Sequence, residues 1–142
     1  MEFLLYLSTQ QMDIYKMVSK KVRVVENAPI CKKYDIFGFY DATQKTLTMC
    51  TEKIKDGENV KTYVNETLLH ESVHVAQSCK TNFNGLGSFG INSSLMTLNY
   101  GRERDLKKVI AFDSRLKHID REAFWMEDKP EKVKYVVQKY CF

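Results

Sequence analysis

The apolar positions of this chain change period several times, and each change marks an expected element. Met12, Tyr15, Met17 and Val18 recur at helical spacing behind Ser8 or Thr9, so a first helix is expected with one of those hydroxyl residues as its cap. The apolar stretch before it, Met1 to Leu7, reads as a short strand or helix start that packs on the core. Val22, Val24 and Val25 suggest a strand that Asn27-Ala28-Pro29 ends. Ile36-Phe37-Gly38-Phe39-Tyr40 and Thr46-Leu47-Thr48-Met49-Cys50, joined by residues 41–45, read as a hairpin rich in aromatic and β-branched side chains. After a turn at Lys55-Asp56-Gly57-Glu58, a long helix is expected from near Thr62 to Cys79, with Leu69, Val73 and Ala76 on its apolar face. Residues 80–93 are rich in Asn, Gly and Ser and predict a long connection. Helical spacing resumes near Arg102. Phe112, Leu116, Ile119, Ala123 and Met126 form one stripe, which Asp113-Ser114 breaks in two. Asp128 and Pro130 open a last helix, whose inner face is Val133, Val136, Val137 and Tyr140.

Strands followed by helices predict an α+β fold: a short antiparallel β-sheet packed on the long helix, with further helices toward the C-terminus. The 142 residues are expected to form a single domain, 1–142, large enough to bury a core without disulfides. No apolar run is long enough to span a bilayer, and residues 1–7 lack the basic start and full hydrophobic segment of a signal peptide. A cytoplasmic chain with reduced thiols is therefore the expectation. The cysteines are Cys31, Cys50, Cys79 and Cys141, and no Cys-x-x-Cys pair points to a thiolate zinc site. Cys79 and Cys141 would meet as a disulfide if the last helix docks on the long one. The net charge is +4, and the basic clusters at residues 20–23, 31–33 and 131–134 have acidic residues among them. That is a solvated surface rather than a nucleic-acid groove, and neither a nucleic-acid nor a membrane partner is expected.

The chemistry is concentrated in His70-Glu71-Ser72-Val73-His74, inside the long helix. Positions four apart lie on one helical face, so both imidazoles can reach a single ion. Glu71 is about 100° further round, placed to flank that ion and take a proton from a water. Zinc suits two imidazoles and lowers the pKa of a bound water to about 7, so attack of water on a carbonyl is the expected reaction. The neighbours Thr67, Leu68, Ser72, Val73, Val75 and Ala76 are uncharged, which suits a buried metal-bearing helix.

This pattern resembles the extended consensus of the zincin metallopeptidases, over about a dozen residues. The likeness implies a zincin-like fold, a Zn2+ cofactor and a peptide or protein substrate, with Glu71 as catalytic base and His70 and His74 as metal ligands. It also places an antiparallel edge strand above the metal to receive the substrate backbone, and either half of the hairpin would serve. A third ligand is expected downstream. His118, the only histidine outside the motif, and Glu122 share a helical face. The Glu122-Ala123 pair resembles the downstream helix of gluzincin-type families, including small bacterial and phage zincins, so Glu122 is the expected third metal ligand. His118 is then a catalytic residue that stabilises the developing oxyanion or orients a ligand. The runner-up exchanges these two roles. The chain departs from the thermolysin pattern at Met126, where that family carries an acid. Asp120, Glu127 and Glu66 are the unranked candidates for a supporting carboxylate. Gln77, three residues after His74, is a further candidate to bond a ligand or the substrate, as in several small zincins. Two other readings remain open: a non-catalytic zinc-binding interaction module, and an amidase on the same scaffold. Substrate-binding residues are not legible.

Overall fold

The computed structural model describes residues 1–142, apart from the side chain of Phe112. The described chain is α+β: seven α-helices, three 3-10 turns and one three-stranded sheet. In chain order the elements are α1 (Thr9–Val18), β1 (Arg23–Glu26), α2 (Ile30–Lys33), β2 (Gly38–Asp41), β3 (Thr46–Met49), α3 (Thr51–Lys55), α4 (Val60–Lys80), α5 (Tyr100–Phe112), α6 (Lys117–Met126) and α7 (Pro130–Cys141). Helix α1 follows Ser8 as its cap, and Pro130 opens α7, where a missing N–H costs nothing. Asp113 caps the 3-10 turn Ser114–Leu116, which separates α5 from α6 at the expected break. Within the expected stripe Leu116, Ile119, Ala123 and Met126 are buried or partly buried; the place given to Phe112 lies outside the described side chains.

Helix α4 is the axis of the molecule. Every residue from Glu71 to Cys79 is buried, so this stretch is covered on all sides rather than along one stripe. Helices α1, α6 and α7 and strands β2 and β3 all pack against it. Phe3, Ile14, Leu47, Leu68, Val75, Val133 and Val137 belong to the same core. Buried Asn65 ties the N-terminal segment to α4: its Oδ1 accepts from Ser8 N at 2.9 Å, and its Nδ2 donates to Tyr6 O at 2.9 Å. Glu26 likewise accepts from Glu2 N, Phe3 N and Thr51 Oγ1, which fastens the first 3-10 turn to the end of β1.

The sheet differs from expectation. Its order is β1-β3-β2, with β2 and β3 antiparallel but β1 and β3 parallel. The sheet is therefore mixed. The chain leaves β1, crosses through α2 and returns as the hairpin, and Val24 pairs with Leu47 in the same direction. Strand β2 is an edge, and its Gly38 crosses α4 so closely that a Cβ there would lie 2.6 Å from Thr67 Cγ2 and 3.1 Å from Glu71 Cγ. Any larger residue there would force the strand or the Thr67 side chain to shift.

All four cysteines are paired, which corrects the expectation of reduced thiols: Cys31 with Cys50, and Cys79 with Cys141. The first pair follows from the parallel register, which sets Glu26 beside Met49 and so brings α2 to the residue after β3. The second joins the end of α4 to the end of α7. Disulfides persist mainly in oxidising compartments, so the paired thiols remove one support for a cytoplasmic setting. No helix among the described residues is long and apolar enough to cross a membrane.

Candidate metal centre

On α4 the rings of His70 and His74 meet edge to face one turn apart, with centroids 5.1 Å from each other and planes at 76°. Each ring is held by its Nδ1. Glu127, just beyond α6, accepts from His70 Nδ1 at 3.0 Å. Gln77 Oε1 accepts from His74 Nδ1 at 2.7 Å. The amide of Gln77 has one possible orientation, because its Nε2 donates to Ile119 O at 3.0 Å and to Glu122 Oε1 at 2.9 Å. Both imidazoles therefore keep Nε2 for the centre, an arrangement common among metal-binding histidines. Phe124 packs edge-on against His70 at 4.6 Å and limits its ring to one plane. Potential ligand atoms of His70, Glu71 and His74 all lie within 4.8 Å of one another.

Asp120, on α6, borders this group through His74. Its Oδ1 lies 3.3 Å from His74 Nε2, and both side chains are 9% exposed. The second oxygens are telling. Asp120 Oδ2 and Glu71 Oε2 are buried and have no hydrogen-bond partner in the protein. An unpartnered buried carboxylate oxygen is costly unless something positive completes it. Two imidazole nitrogens and two carboxylates suit a divalent ion of the zinc type.

The electrostatics agree. Burial raises the pKa of Glu71 above the usual carboxylate range; the charges of His70 and His74 pull it down, and Asp120 and Glu127 add to the rise. Burial alone would depress His74, but the hydrogen bond to Asp120 and the charge of Glu71 outweigh it and push the imidazole up to about 9. A cation is thus the favoured occupant of this spot, whether it is a proton or a metal ion.

The expected third ligand stands elsewhere. Glu122 is fully buried, but both its oxygens are engaged on the far side of Gln77. Oε1 accepts from Gln77 Nε2 and Phe89 N, and Oε2 accepts from Ser88 Oγ at 3.0 Å and Phe89 N at 3.0 Å. His118 Nε2 lies 3.5 Å from Glu122 Oε2, so it borders the same side. The structure thus brings His70, Glu71, His74 and Asp120 together and sets Glu122 and His118 behind them. Glu122 supports His74 at one remove, through Gln77. Ala123 is fully buried on α6, the helix that packs against α4. Of the supporting carboxylates, Glu127 holds His70 directly. Glu66 joins it through Arg102, a residue that the sequence reading missed. Burial, with the nearby charge of Glu127, raises Glu66 to about 7 despite Arg102. The stripe Asp120, Phe124, Glu127, spaced four and three apart, was the available signal for the face that looks at the histidines.

Comparisons with known proteins add little chemistry. No curated protein matches this chain, and no solved structure does. One family matches residues 3–142. With nearly its whole length covered, the chain belongs to that family, described as a domain of unknown function (DUF8637).

Proposed function

We propose that this chain is a zinc-dependent metallopeptidase whose ion is held by His70, His74 and Asp120. The observation that carries the reading is the convergence of two Nδ1-anchored imidazoles with Glu71 and Asp120, each of which keeps one buried oxygen unpartnered. Asp120 replaces the expected Glu122 as third ligand, because Glu122 spends its oxygens on Gln77, Ser88 and Phe89. When bound, zinc would polarise a substrate carbonyl and acidify a water. Glu71 would be the base for that water's proton and would return it to the leaving amine; burial raises its pKa above the usual carboxylate range. Glu127 and Gln77 keep the histidine tautomers fixed through the cycle. The free edge of β2, whose Gly38 crosses beside Glu71, offers main-chain groups to an extended peptide.

Elemental analysis of the purified chain, combined with cleavage of a peptide library with and without chelator, tests this reading. Glu71→Gln should keep zinc and lose turnover by more than about 100-fold. One observation favours a second reading. Glu71 lies in the same cluster as the two histidines, so it could bind the ion itself and, with Asp120 beside His74, close a structural site. In that case Glu71→Ala would lower zinc affinity, and wild-type protein would cleave nothing.

A further inference from the structure

We infer that Arg102 is a positioning residue for this metal centre, acting on His70 through Glu127; the inference rests on the metal-binding reading above. Arg102 sits in the first turn of α5, where its backbone is fixed by the cap: Asn99 Oδ1 accepts from Arg102 N at 2.8 Å. Its guanidinium then serves three carboxylates. Nε donates to Glu127 Oε2 at 3.1 Å, one terminal nitrogen to Glu66 Oε1 at 3.1 Å, and the other to Asp128 Oδ2 at 3.4 Å. The side chain is 18% exposed.

Glu127 is the key member. One of its oxygens holds His70 Nδ1 and the other meets Arg102, so both ends of the carboxylate are fixed. Its position is otherwise unfavourable. It lies at the C-terminal end of α6, where the helix dipole disfavours negative charge, beside Asp128 and facing Glu66. Among the described residues, Arg102 is the only cationic side chain paired with Glu127 besides His70. Without the guanidinium, repulsion from Glu66 and Asp128 would turn Glu127 toward water, and His70 would lose its anchor. A planar fork with several separated N–H groups meets three acceptors at once, which a lysine ammonium cannot reproduce in the same geometry.

A matched control exists in the same region. Arg121 on α6 is similarly buried, pairs with Glu103 on α5 through two hydrogen bonds, and has no link to His70. Both arginines latch α5 to its neighbours, but only Arg102 leads to a ligand.

The test measures zinc affinity of the full chain by competition with a chromophoric chelator, alongside the zinc-induced rise in Tm and the absorption spectrum of the Co2+ form. Arg102→Met should weaken zinc binding by about 10–100-fold, the usual effect of losing an outer partner of a ligand. Arg102→Lys should recover part of that loss. Arg121→Met should lower Tm but leave affinity within about 2-fold of wild type. Glu127→Gln combined with Arg102→Met should bind zinc no more weakly than the worse single variant, because both act along one line. The inference is overturned if Arg102→Met lowers the Tm of metal-free and zinc-loaded protein equally with affinity unchanged. It is also overturned if Arg121→Met weakens zinc as much, or if the double variant loses the sum of the two effects. A wild-type chain that takes up no divalent ion would remove the metal-centre reading itself, and this inference with it. Should Arg102→Met not fold, the comparison of Arg102→Lys with Arg121→Lys decides between the same outcomes.

Discussion

Asp120 Oδ1 faces His74 Nε2 across 3.3 Å, while Glu122, two residues further along the same helix, turns its carboxylate to Gln77, the Ser88 hydroxyl and the Phe89 N–H. Two buried acids on one helix thus have separate tasks, and their variants should separate as well. Asp120→Ala should reduce zinc affinity by more than about 100-fold, as loss of a direct ligand does, with a smaller change in the stability of the metal-free protein. Glu122→Gln should cost roughly 2–3 kcal/mol of folding stability, because it leaves a donor facing donors, and should weaken zinc by no more than about 10-fold through Gln77. Chelator competition and urea denaturation on both variants check this. Equal zinc loss in the two would restore Glu122 as a ligand.

Gly38 fixes the gap between β2 and α4. Gly38→Ala sets a methyl against Thr67 Cγ2 and should cost about 1–3 kcal/mol, or a fall in Tm of roughly 3–9 °C. Adding Thr67→Ser removes the opposing methyl and should recover much of that loss. Calorimetry of the two single variants and the double variant gives the coupling; simple additivity would mean that the crossing is looser than described.

Glu66 gives the fold a pH dependence of its own. Its pKa rises from 4.5 to about 7 on folding, so between those values the folded state holds more proton than the unfolded one. Stability from this group is present below the lower value and is lost as pH rises through the upper. After allowance for its partial exposure, the loss amounts to about 1–2 kcal/mol by pH 8. Glu66→Gln should flatten that slope and be the more stable form at pH 8, as measured by urea midpoints from pH 4.5 to 8. A midpoint that climbs for wild type over this range, with no change in the variant, would contradict the assignment.

The disulfides should each contribute about 2–4 kcal/mol by restricting the unfolded chain, the longer Cys79–Cys141 loop at the upper end. Mass spectrometry without reductant should find no free thiol. Cys79→Ser with Cys141→Ser should lower the denaturation midpoint more than Cys31→Ser with Cys50→Ser. Four alkylatable thiols in protein prepared without reductant would refute the pairing.

Elements with a sustained apolar period were legible from sequence: α1, α4, the hairpin and α7 lie within a few residues of where the spacing put them. Helices α2 and α3 have four and five residues, too few to show a period. The parallel pairing of β1 was hidden because strand direction is set by the crossover, not by the side chains of Arg23–Glu26. At the centre, the motif announced His70, Glu71 and His74. The choice between Asp120 and Glu122 was not readable, since the two project about 200° apart on a helix and each has its own reason to be buried. Asp120 meets His74, while Glu122 meets Gln77 further along α4 together with Ser88 and Phe89, so either acid finds a polar partner. Only packing of Ile119, Ala123 and Met126 fixes which side looks at the histidines. Arg102 was invisible for a related reason: its partners, Glu66 and Glu127, are 36 and 25 positions away.

Where Gly38 crosses Thr67, β2 presents bare backbone to α4, and a Cβ there would meet Thr67 Cγ2 at 2.6 Å and Glu71 Cγ at 3.1 Å. A wall of side chains can yield by changing rotamer, whereas a planar amide has no such freedom. On the strand side, the gap beside Glu71 can therefore change only by a movement of the backbone itself.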